Sequence, residues 1–313
     1  MIVDFHTHLV APGWEPDVYY LSIARIGAQA IARQSGTAPD PAIIKETLLK
    51  RMSDTSGEKL IAEMDSAGVD LSVIHVLDFD LGVRERGLGR MEIEIEEKNK
   101  KHFEIQANHP DRIVSFFGID PRREGAMALF EKAVEEWGMK GLKLHPTSGY
   151  YPDDLICFPL YDYAQKKGLP VLFHTGSQPY PWRAKFAQPV YVDSVAAEFP
   201  ELTIIAAHLG HGWWEELLHL AGAKPNIHVD ISGWQITLQH DPETFYTVLR
   251  RYLDALGPWR VLFGSDGPFL NALMPLKDWV DAIKNPKTKI PFSKEETDIV
   301  LGKTASKILK KGF

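Results

Sequence analysis

Eight short apolar runs, separated by longer amphipathic segments, constrain the fold of this chain more than any other feature. Strands buried on both faces are typically near-continuous apolar runs, and their alternation with helical patterns indicates repeated βα units. Eight such units predict an α/β fold of the (β/α)8 TIM-barrel type, with an open doubly wound sheet as the weaker alternative. The predicted strands are Ile2–Phe5, Leu71–Leu77, Ile113–Ile119, Gly141–Leu144, Pro170–Phe173, Leu202–Ala207, Ile227–Ile231 and Val261–Phe263.

Segments with helical periodicity lie between these runs. The last of them begins at Ser293 with Glu296 three residues later, which is the pattern of a capping box. The predicted helices cover residues 55–67, 91–108, 125–137, 158–168, 189–199, 212–222, 241–256 and 293–310.

The spacing of the units is uneven only near the start, where residues 10–54 form an insertion after the first strand. Its middle, YYLSIARIGAQAIARQ, has a helical pattern. An insertion at the carboxyl end of a barrel strand overhangs the face where barrel enzymes bind their substrates. We expect a lid over this face, or else a packing elaboration or an oligomer contact, within one domain spanning residues 1–313.

Composition and charge exclude several classes of partner. The formal net charge is −7 without a basic stripe, which argues against nucleic acid. No apolar run approaches the roughly 20 residues that cross a bilayer, and MIVDFHTH enters a strand-like segment without a signal-peptide pattern. The single cysteine, Cys157, suits a reducing compartment as a buried thiol. We expect a cytoplasmic protein that binds a small molecule, with a homodimer left open.

Four histidines and one aspartate fall at the ends of predicted strands. His6 and His8 follow the first strand, and residues two apart on an extended segment point the same way. His174 ends the fifth strand, His208 the sixth and Asp266 the eighth. The carboxyl ends of barrel strands are where such enzymes place their functional groups. An H-x-H pair alone is weak evidence, but this joint placement predicts one metal site.

Imidazole nitrogens with one carboxylate suit zinc foremost, and also manganese, iron or cobalt. A site with three histidines and one aspartate keeps room for water, as catalytic sites do. A bound divalent metal lowers the pKa of water to about 7, so that hydroxide forms at neutral pH. The pattern therefore favours one catalytic divalent metal.

The motifs around these residues resemble those of the amidohydrolase superfamily. HTH, HTG, AHLG and GSDGP are similar to its amidohydrolase-2 branch, which includes aminocarboxymuconate-semialdehyde decarboxylase. HPDRIVSFFGIDP, GLKLHP and NIHVDISG extend the resemblance along the whole chain. The resemblance implies that the metal ligands are His6, His8, His174 and Asp266. It also implies that His208 is the catalytic histidine beside the metal-bound water.

Other branches with this fold match less well. TatD-type nucleases also begin with H-x-H, but they expect a ligating glutamate near strand 3 or 4 and an E-T-D ending, where this chain has GLKLHP and GSDGP. Phosphotriesterase-like and dihydroorotase-like members bridge two metals with a carboxylated lysine, and Lys143 stands where such a lysine could lie. The resembled branch is usually mononuclear, so we expect Lys143 to be an unmodified cation near the pocket or a support for its strand.

Residues on the loops above the predicted site are candidates for contact with substrate. His145 and Tyr150 follow the fourth strand, Ser177 follows the fifth, and Trp14 lies in the insertion. Together with Lys143 they are the predicted substrate-binding residues.

The leading functional hypothesis is a metal-dependent hydrolase that attacks a C–N or C–O bond of a small carboxylate-bearing or aromatic substrate. Asp266 and His208 would take or shuttle the proton of the attacking water. The alternative is non-oxidative decarboxylation, which the same branch supports and which begins from the same ligands. A non-catalytic metal protein would be expected to lack His208 or Asp266, and a nuclease is disfavoured by the negative charge.

Overall fold

The computed structural model describes residues 1–310, and its eight parallel strands pair in sequential order. The Phe5 amide donates to the Phe263 carbonyl at 3.0 Å and Thr7 pairs with Gly267, so the first and last strands meet. The sheet is therefore a barrel, which confirms the predicted TIM-barrel class and excludes the open doubly wound sheet. The strands are β1 Val3–Thr7, β2 Leu71–His75, β3 Ile113–Gly118, β4 Leu142–Leu144, β5 Val171–Phe173, β6 Ile204–Ala206, β7 Ile227–Asp230 and β8 Val261–Leu262.

Every helix predicted from the sequence is present with shifted ends, and the capping box of Ser293 and Glu296 is formed. A π-helical turn at Ile299–Lys303 interrupts the last one. No helix within residues 1–310 is long and apolar enough to span a membrane. The helices are α1 Asp17–Ser35, α2 Pro41–Met52, α3 Glu58–Ala67, α4 Asp80–Arg84, α5 Ile95–Asn108, α6 Ala126–Glu135, α7 Phe158–Lys167, α8 Pro189–Glu198, α9 Trp214–Ala223, α10 Gln235–His240, α11 Pro242–Leu256, α12 Leu276–Lys284, α13 Lys294–Asp298 and α14 Thr304–Lys310.

The first strand extends further than predicted, so His6 lies inside β1 rather than after it. The cause is pairing with the loop after β8, because the His6 carbonyl accepts from the amides of Ser265 at 3.0 Å and Asp266 at 2.7 Å. This pairing holds the carboxyl ends of β1 and β8, with His6 and Asp266, side by side.

Apolar side chains fill the barrel interior. Phe5, Phe116 and Leu172 belong to one buried cluster, and Ile308 of α14 packs against the same cluster. A filled interior is typical of this fold and makes the barrel a support rather than a pore. The functional groups are consequently confined to the ends of the strands and the loops beyond them.

The insertion contains α1 and α2, and its base is tied to the barrel by a buried lysine. Lys98 of α5 is fully buried, and its Nζ donates to Glu15 Oε1 at 2.6 Å. The same ammonium donates to the carbonyls of Trp14 at 3.0 Å and Leu77 at 2.8 Å. A buried ammonium requires such complete pairing. The start of the insertion is therefore fixed against β2 and α5.

The buried His102 imidazole is expected to make the free energy of unfolding depend on pH. Burial, and next the nearby Lys98 ammonium, lower its pKa from 6.5 to about 3. Between these two pKa values the unfolded chain binds a proton at His102 and the folded chain does not. The contribution of His102 to the free energy of unfolding is therefore fully present above pH 6.5 and is lost as the pH drops toward 3. We expect His102→Gln to remove about 1.4 kcal/mol per pH unit from the slope of unfolding free energy against pH. Urea denaturation of both proteins between pH 4 and 7 measures this, and equal slopes would contradict it.

Cys157 is expected to be inert in the folded protein. Its thiol is buried and donates to the Tyr151 carbonyl at 3.7 Å, and burial, ahead of neighbouring groups, raises its pKa to about 12. Since only the thiolate reacts, labelling by a disulfide reagent at pH 8 should be roughly 10³-fold slower than in the unfolded chain. The rate with and without denaturant measures this, and similar rates would show that the thiol is accessible.

Candidate metal centre

Three of the predicted ligands converge at the carboxyl end of the barrel. His6 Nε2 and His8 Nε2 lie 3.2 Å apart. Asp266 Oδ1 lies 3.4 Å from His8 Nε2 and 3.8 Å from His6 Nε2. These atoms form one of two groups within the described residues whose spacing would suit a metal ion.

The other nitrogens of both rings are already engaged. His6 Nδ1 lies 2.9 Å from Asp230 Oδ2, and His8 Nδ1 donates to the His75 carbonyl at 2.9 Å. A histidine whose Nδ1 carries the proton presents an unprotonated Nε2. Two such nitrogens face each other beside a carboxylate. This donor set fits a divalent metal of the zinc or manganese type.

Lys143 of β4 projects into the same place. Its Nζ lies 2.9 Å from His6 Nε2, and the side chain is buried. Burial lowers the pKa of Lys143 to about 8, although the Asp266 and Asp230 carboxylates act in the opposite direction. Burial also lowers the pKa of His6 well below its usual range, and the Lys143 ammonium lowers it further. The amine thus borders the candidate ligands, and the expectation that it is uncarboxylated stays a prediction.

His174 and His208 form a second pair beside the first. His208 Nε2 lies 3.0 Å from His174 Nδ1, and the His174 ring stacks on that of His145 at 4.1 Å between centroids. Among the described residues, His174 Nε2 is buried without a hydrogen-bond partner. Burial, and next the nearby His145, lower the pKa of His174 well below its usual range. His174 lies outside the three-residue group, so its role as a ligand remains a prediction.

Left-handed backbone marks the two residues predicted to move protons. His208 has φ 61°, its neighbour Leu209 has φ 47°, and Asp266 has φ 51°. Such conformations cost non-glycine residues about 1 kcal/mol or more and persist where surrounding contacts hold them. Trp234 Nε1 donates to the His208 carbonyl at 2.6 Å and holds that turn. The strain is concentrated at the candidate site.

Two buried residues near the end of β7, Asp230 and Ser232, were not predicted from the sequence. They are two positions apart, with Asp230 ending the strand and Ser232 just after it. Both are completely buried, and both contact the rings or backbone of His6 and His208. The signal was present in NIHVDISG, because residues two apart on a strand face the same way. The same logic had grouped His6 with His8.

The predicted substrate-contact residues occupy different environments. His145 lies beside His174, whereas Tyr150 is buried and its hydroxyl accepts from the His145 amide at 3.0 Å. Ser177 is exposed, and the Trp14 ring packs on His102 with centroids 5.0 Å apart. Of the five predicted substrate-binding residues, Lys143 and His145 have a described contact with a candidate ligand, and the substrate contacts of all five stay predictions.

Aromatic rings cover the site from three loops and the insertion. Tyr19 of α1 packs against Phe79 at 5.0 Å, Trp182 at 5.4 Å and Phe269 at 5.8 Å between ring centroids. Phe79 in turn packs on His145 at 4.6 Å. Burial, and then the Glu15 and Asp266 carboxylates, raise the pKa of the Tyr19 phenol well above its usual value. We call Tyr19, Phe79, Trp182 and Phe269 the aromatic cover.

A cavity of about 140 Å³ is lined in part by His8. Its polar lining includes Thr7, Glu63 and Asn271, and Arg51 and Lys59 also border it. Asn271 Nδ2 donates to Glu63 Oε2 at 3.0 Å. The candidate ligand His8 therefore borders a cavity with a mixed polar and apolar lining.

A barrel with histidine and aspartate side chains gathered at the carboxyl ends of its strands has the architecture of (β/α)8 enzymes. This chain belongs to the amidohydrolase family, whose model, Amidohydro_2, matches residues 3–311. The resemblance identified from the sequence motifs is thereby confirmed, and the protein is an enzyme of this family.

Relatives of known sequence or structure are distant. Protein fluG of Emericella nidulans is 25% identical over 100 residues, which span 32% of this chain and only 11% of that protein. An uncharacterized TIM-barrel protein from Bordetella bronchiseptica is 22% identical, with a TM-score of 0.72 and 99% of both chains covered.

Two solved enzymes share the same fold. A dihydroxybenzoic acid decarboxylase from Polaromonas, with bound manganese and the inhibitor 2-nitroresorcinol, is 17% identical, has a TM-score of 0.66, and aligns over 99% of this chain and 96% of its own. A probable 2-pyrone-4,6-dicarboxylic acid hydrolase from Acinetobacter baumannii, with bound citric acid, is 13% identical, has a TM-score of 0.64, and aligns over 99% of both chains.

Proposed function

We propose that this enzyme is a metal-dependent decarboxylase of a small aromatic or conjugated carboxylic acid. The observation that carries the proposal is the aromatic cover, which places Tyr19, Phe79 and Trp182 within 5.4 Å of one another at ring centroids. Aromatic side chains bind flat apolar rings and keep water away from them. The insertion, through Tyr19, would act as part of this cover, as the lid hypothesis from the sequence requires.

The residues that would hold the metal are His6, His8 and Asp266, with His174 as the fourth ligand expected from the sequence. Manganese and zinc both suit this donor set, and manganese is bound in the Polaromonas decarboxylase. A bound divalent metal would supply a Lewis acid that orients and polarises a substrate oxygen.

Water exclusion favours decarboxylation over hydrolysis. A carboxylate is poorly stabilised in apolar surroundings, whereas the departing CO2 is neutral. The reaction also needs no water molecule as a reactant, but it does need a proton at the carbon that loses CO2. His208 would deliver that proton from Nε2, since Ser232 holds its Nδ1 at 2.9 Å; Nε2 would first have to give up its contact with His174 Nδ1 at 3.0 Å. Asp266 would orient the rings of His6 and His8, which lie beside its carboxylate.

Hydrolysis of a C–N or C–O bond, which the sequence first suggested, is the second candidate. The cavity beside His8 favours it, because polar side chains line part of it and 140 Å³ has room for several water molecules. In this reaction Asp266 and His208 would take the proton from the attacking water. The aromatic substrate class is common to both candidates.

A substrate panel separates the two reactions. Metal-loaded enzyme would be incubated in H2¹⁸O with hydroxybenzoates, conjugated dicarboxylates, and aryl amides and lactones. We expect CO2 release with no ¹⁸O in the organic product, and we expect His208→Ala to abolish it while the metal stays bound. Incorporation of ¹⁸O into the organic product without CO2 would replace this proposal with hydrolysis. Inactivity on every class would reject the proposed substrates.

The proposal places the enzyme in the cytoplasm, a location favoured by its free buried thiol Cys157. A homodimer stays a prediction that light scattering of the purified protein would test.

A further inference from the structure

Asp230 and Ser232 lie between the first candidate ligand and the candidate acid. We propose that these two side chains are positioning residues that determine which ring nitrogen of His6 faces the metal and which nitrogen of His208 faces the substrate. The inference rests on the proposed metal-dependent function of this site. Both side chains are completely buried, so water does not compete for their hydrogen bonds.

Asp230 determines the proton position on His6. Its Oδ2 lies 2.9 Å from His6 Nδ1. An ionised carboxylate can only accept hydrogen bonds, so the proton of the ring is held at Nδ1. His6 Nε2 is then unprotonated and faces His8 Nε2. Carboxylate partners of this kind orient metal-binding histidines and raise their basicity.

Ser232 determines the proton position on His208. Its hydroxyl donates a short hydrogen bond to Asp230 Oδ1, so the single hydroxyl proton is already used. The same oxygen lies 2.9 Å from His208 Nδ1, and the Ser232 carbonyl lies 3.2 Å from it. Both oxygens must therefore accept from His208 Nδ1–H. The neutral ring then has an unprotonated Nε2, which can accept from His174 Nδ1 at 3.0 Å. When that contact is exchanged for substrate, a proton taken up at Nε2 can be given to it.

The two histidines are linked through this one pair of residues. Ser232 Oγ also lies 3.1 Å from His6 Nδ1, and Asp230 Oδ1 accepts from the His208 amide at 3.0 Å. The latter contact holds the left-handed backbone of His208. The orientation of the candidate acid is thus coupled to that of the candidate ligand.

A second metal ion is the competing explanation for this cluster. Ligand atoms of His6, His208 and Asp230 all lie within 4.8 Å of one another. However, the Ser232 hydroxyl already contacts all three residues. A metal would have to displace it and break the bond that holds each Nδ1 proton. The geometry therefore favours positioning over coordination.

The test compares Asp230→Asn and Ser232→Ala with Ser115→Ala. Ser115 is equally buried, but its hydroxyl donates to the His102 carbonyl at 2.8 Å, away from the candidate ligands. Manganese affinity and stoichiometry would be measured by titration calorimetry, and kcat and KM on any substrate found. We expect Asp230→Asn to weaken manganese binding about 10- to 100-fold. We expect Ser232→Ala to lower kcat at least tenfold with little change in KM, and Ser115→Ala to change neither.

Side-chain nitrogen NMR of the histidine-labelled wild type supplies a readout that needs neither turnover nor a folded variant. The expected spectrum shows His6 and His208 protonated at Nδ1 in the metal-free protein. Protonation of either at Nε2 would overturn the proposal, as would unchanged metal affinity and kcat in folded variants. Loss of one of two bound manganese ions in Asp230→Asn would make Asp230 a ligand instead. Failure of the substrate panel alone would leave the affinity and NMR results standing as the test of positioning.

Discussion

Replacing His6 by alanine is expected to abolish metal binding and catalysis together. His6 Nε2 lies 3.2 Å from His8 Nε2 and 3.8 Å from Asp266 Oδ1, so its loss removes one of the three grouped donors. Changes in residues that merely support metal ligands lower affinity 10- to 100-fold, so loss of a ligand should cost more than about 100-fold. Activity should fall at least about 10³-fold. Elemental analysis after dialysis and steady-state rates would measure both.

The same measurements distinguish the roles of the second histidine pair. We expect His174→Ala to lose metal and activity, whereas His208→Ala should keep the metal and lose activity. His219, exposed on α9, provides the control, because His219→Ala should change neither quantity. Retention of a full equivalent of metal by His6→Ala, or by His174→Ala, would remove that residue from the ligand set.

The second large effect is expected from Lys98→Met. This substitution leaves the buried Glu15 carboxylate without its ammonium partner and leaves the carbonyls of Trp14 and Leu77 without their donor. Breaking one side of a buried ion pair typically costs 3–5 kcal/mol because the remaining charge stays uncompensated. We expect a loss of about 3 kcal/mol or more in the free energy of unfolding, measured by urea denaturation.

Two further variants separate this mechanism from general damage to α5. Lys101 lies on the same helix with its side chain 41% exposed, and Lys101→Met should change stability by less than about 0.5 kcal/mol. Adding Glu15→Gln to Lys98→Met should restore part of the loss, since the buried charge is removed. If Lys98→Met unfolded at the same urea concentration as the wild type, the lysine would not anchor the insertion.

The fold was predictable where burial leaves a simple pattern. Runs such as Val171–Phe173 are apolar throughout because both faces are covered, and all eight strands were found. Helix α12 was missed although Leu276, Trp279, Val280 and Ile283 follow the spacing of a buried helical face. The extra length of β1 could not be foreseen, because it depends on hydrogen bonds donated by backbone amides of the loop after β8.

The candidate site was predictable only in part, for a related reason. Histidines at strand ends can be recognised from their residue type alone. Asp230 and Ser232 are ordinary polar residues, and their role depends on the histidine rings that they contact in the folded protein. The Lys98 to Glu15 pair joins residues 83 positions apart, which no local pattern can report. The aromatic cover likewise exists only once the insertion is docked, so Tyr19 could be placed in a lid but not against Phe79.

The meeting of β1 with β8 has a consequence for biosynthesis. His6 precedes Asp266 along the chain and therefore emerges from the ribosome first. At the usual elongation rate of 5–20 residues per second, roughly 13–50 s pass between them. Throughout that interval the proposed ligands His6 and His8 lack the carboxylate of Asp266. If these residues hold a metal, as proposed, a nascent chain can complete the site only after synthesis has passed β8, when the same step that completes the barrel also brings Asp266 beside His6 and His8.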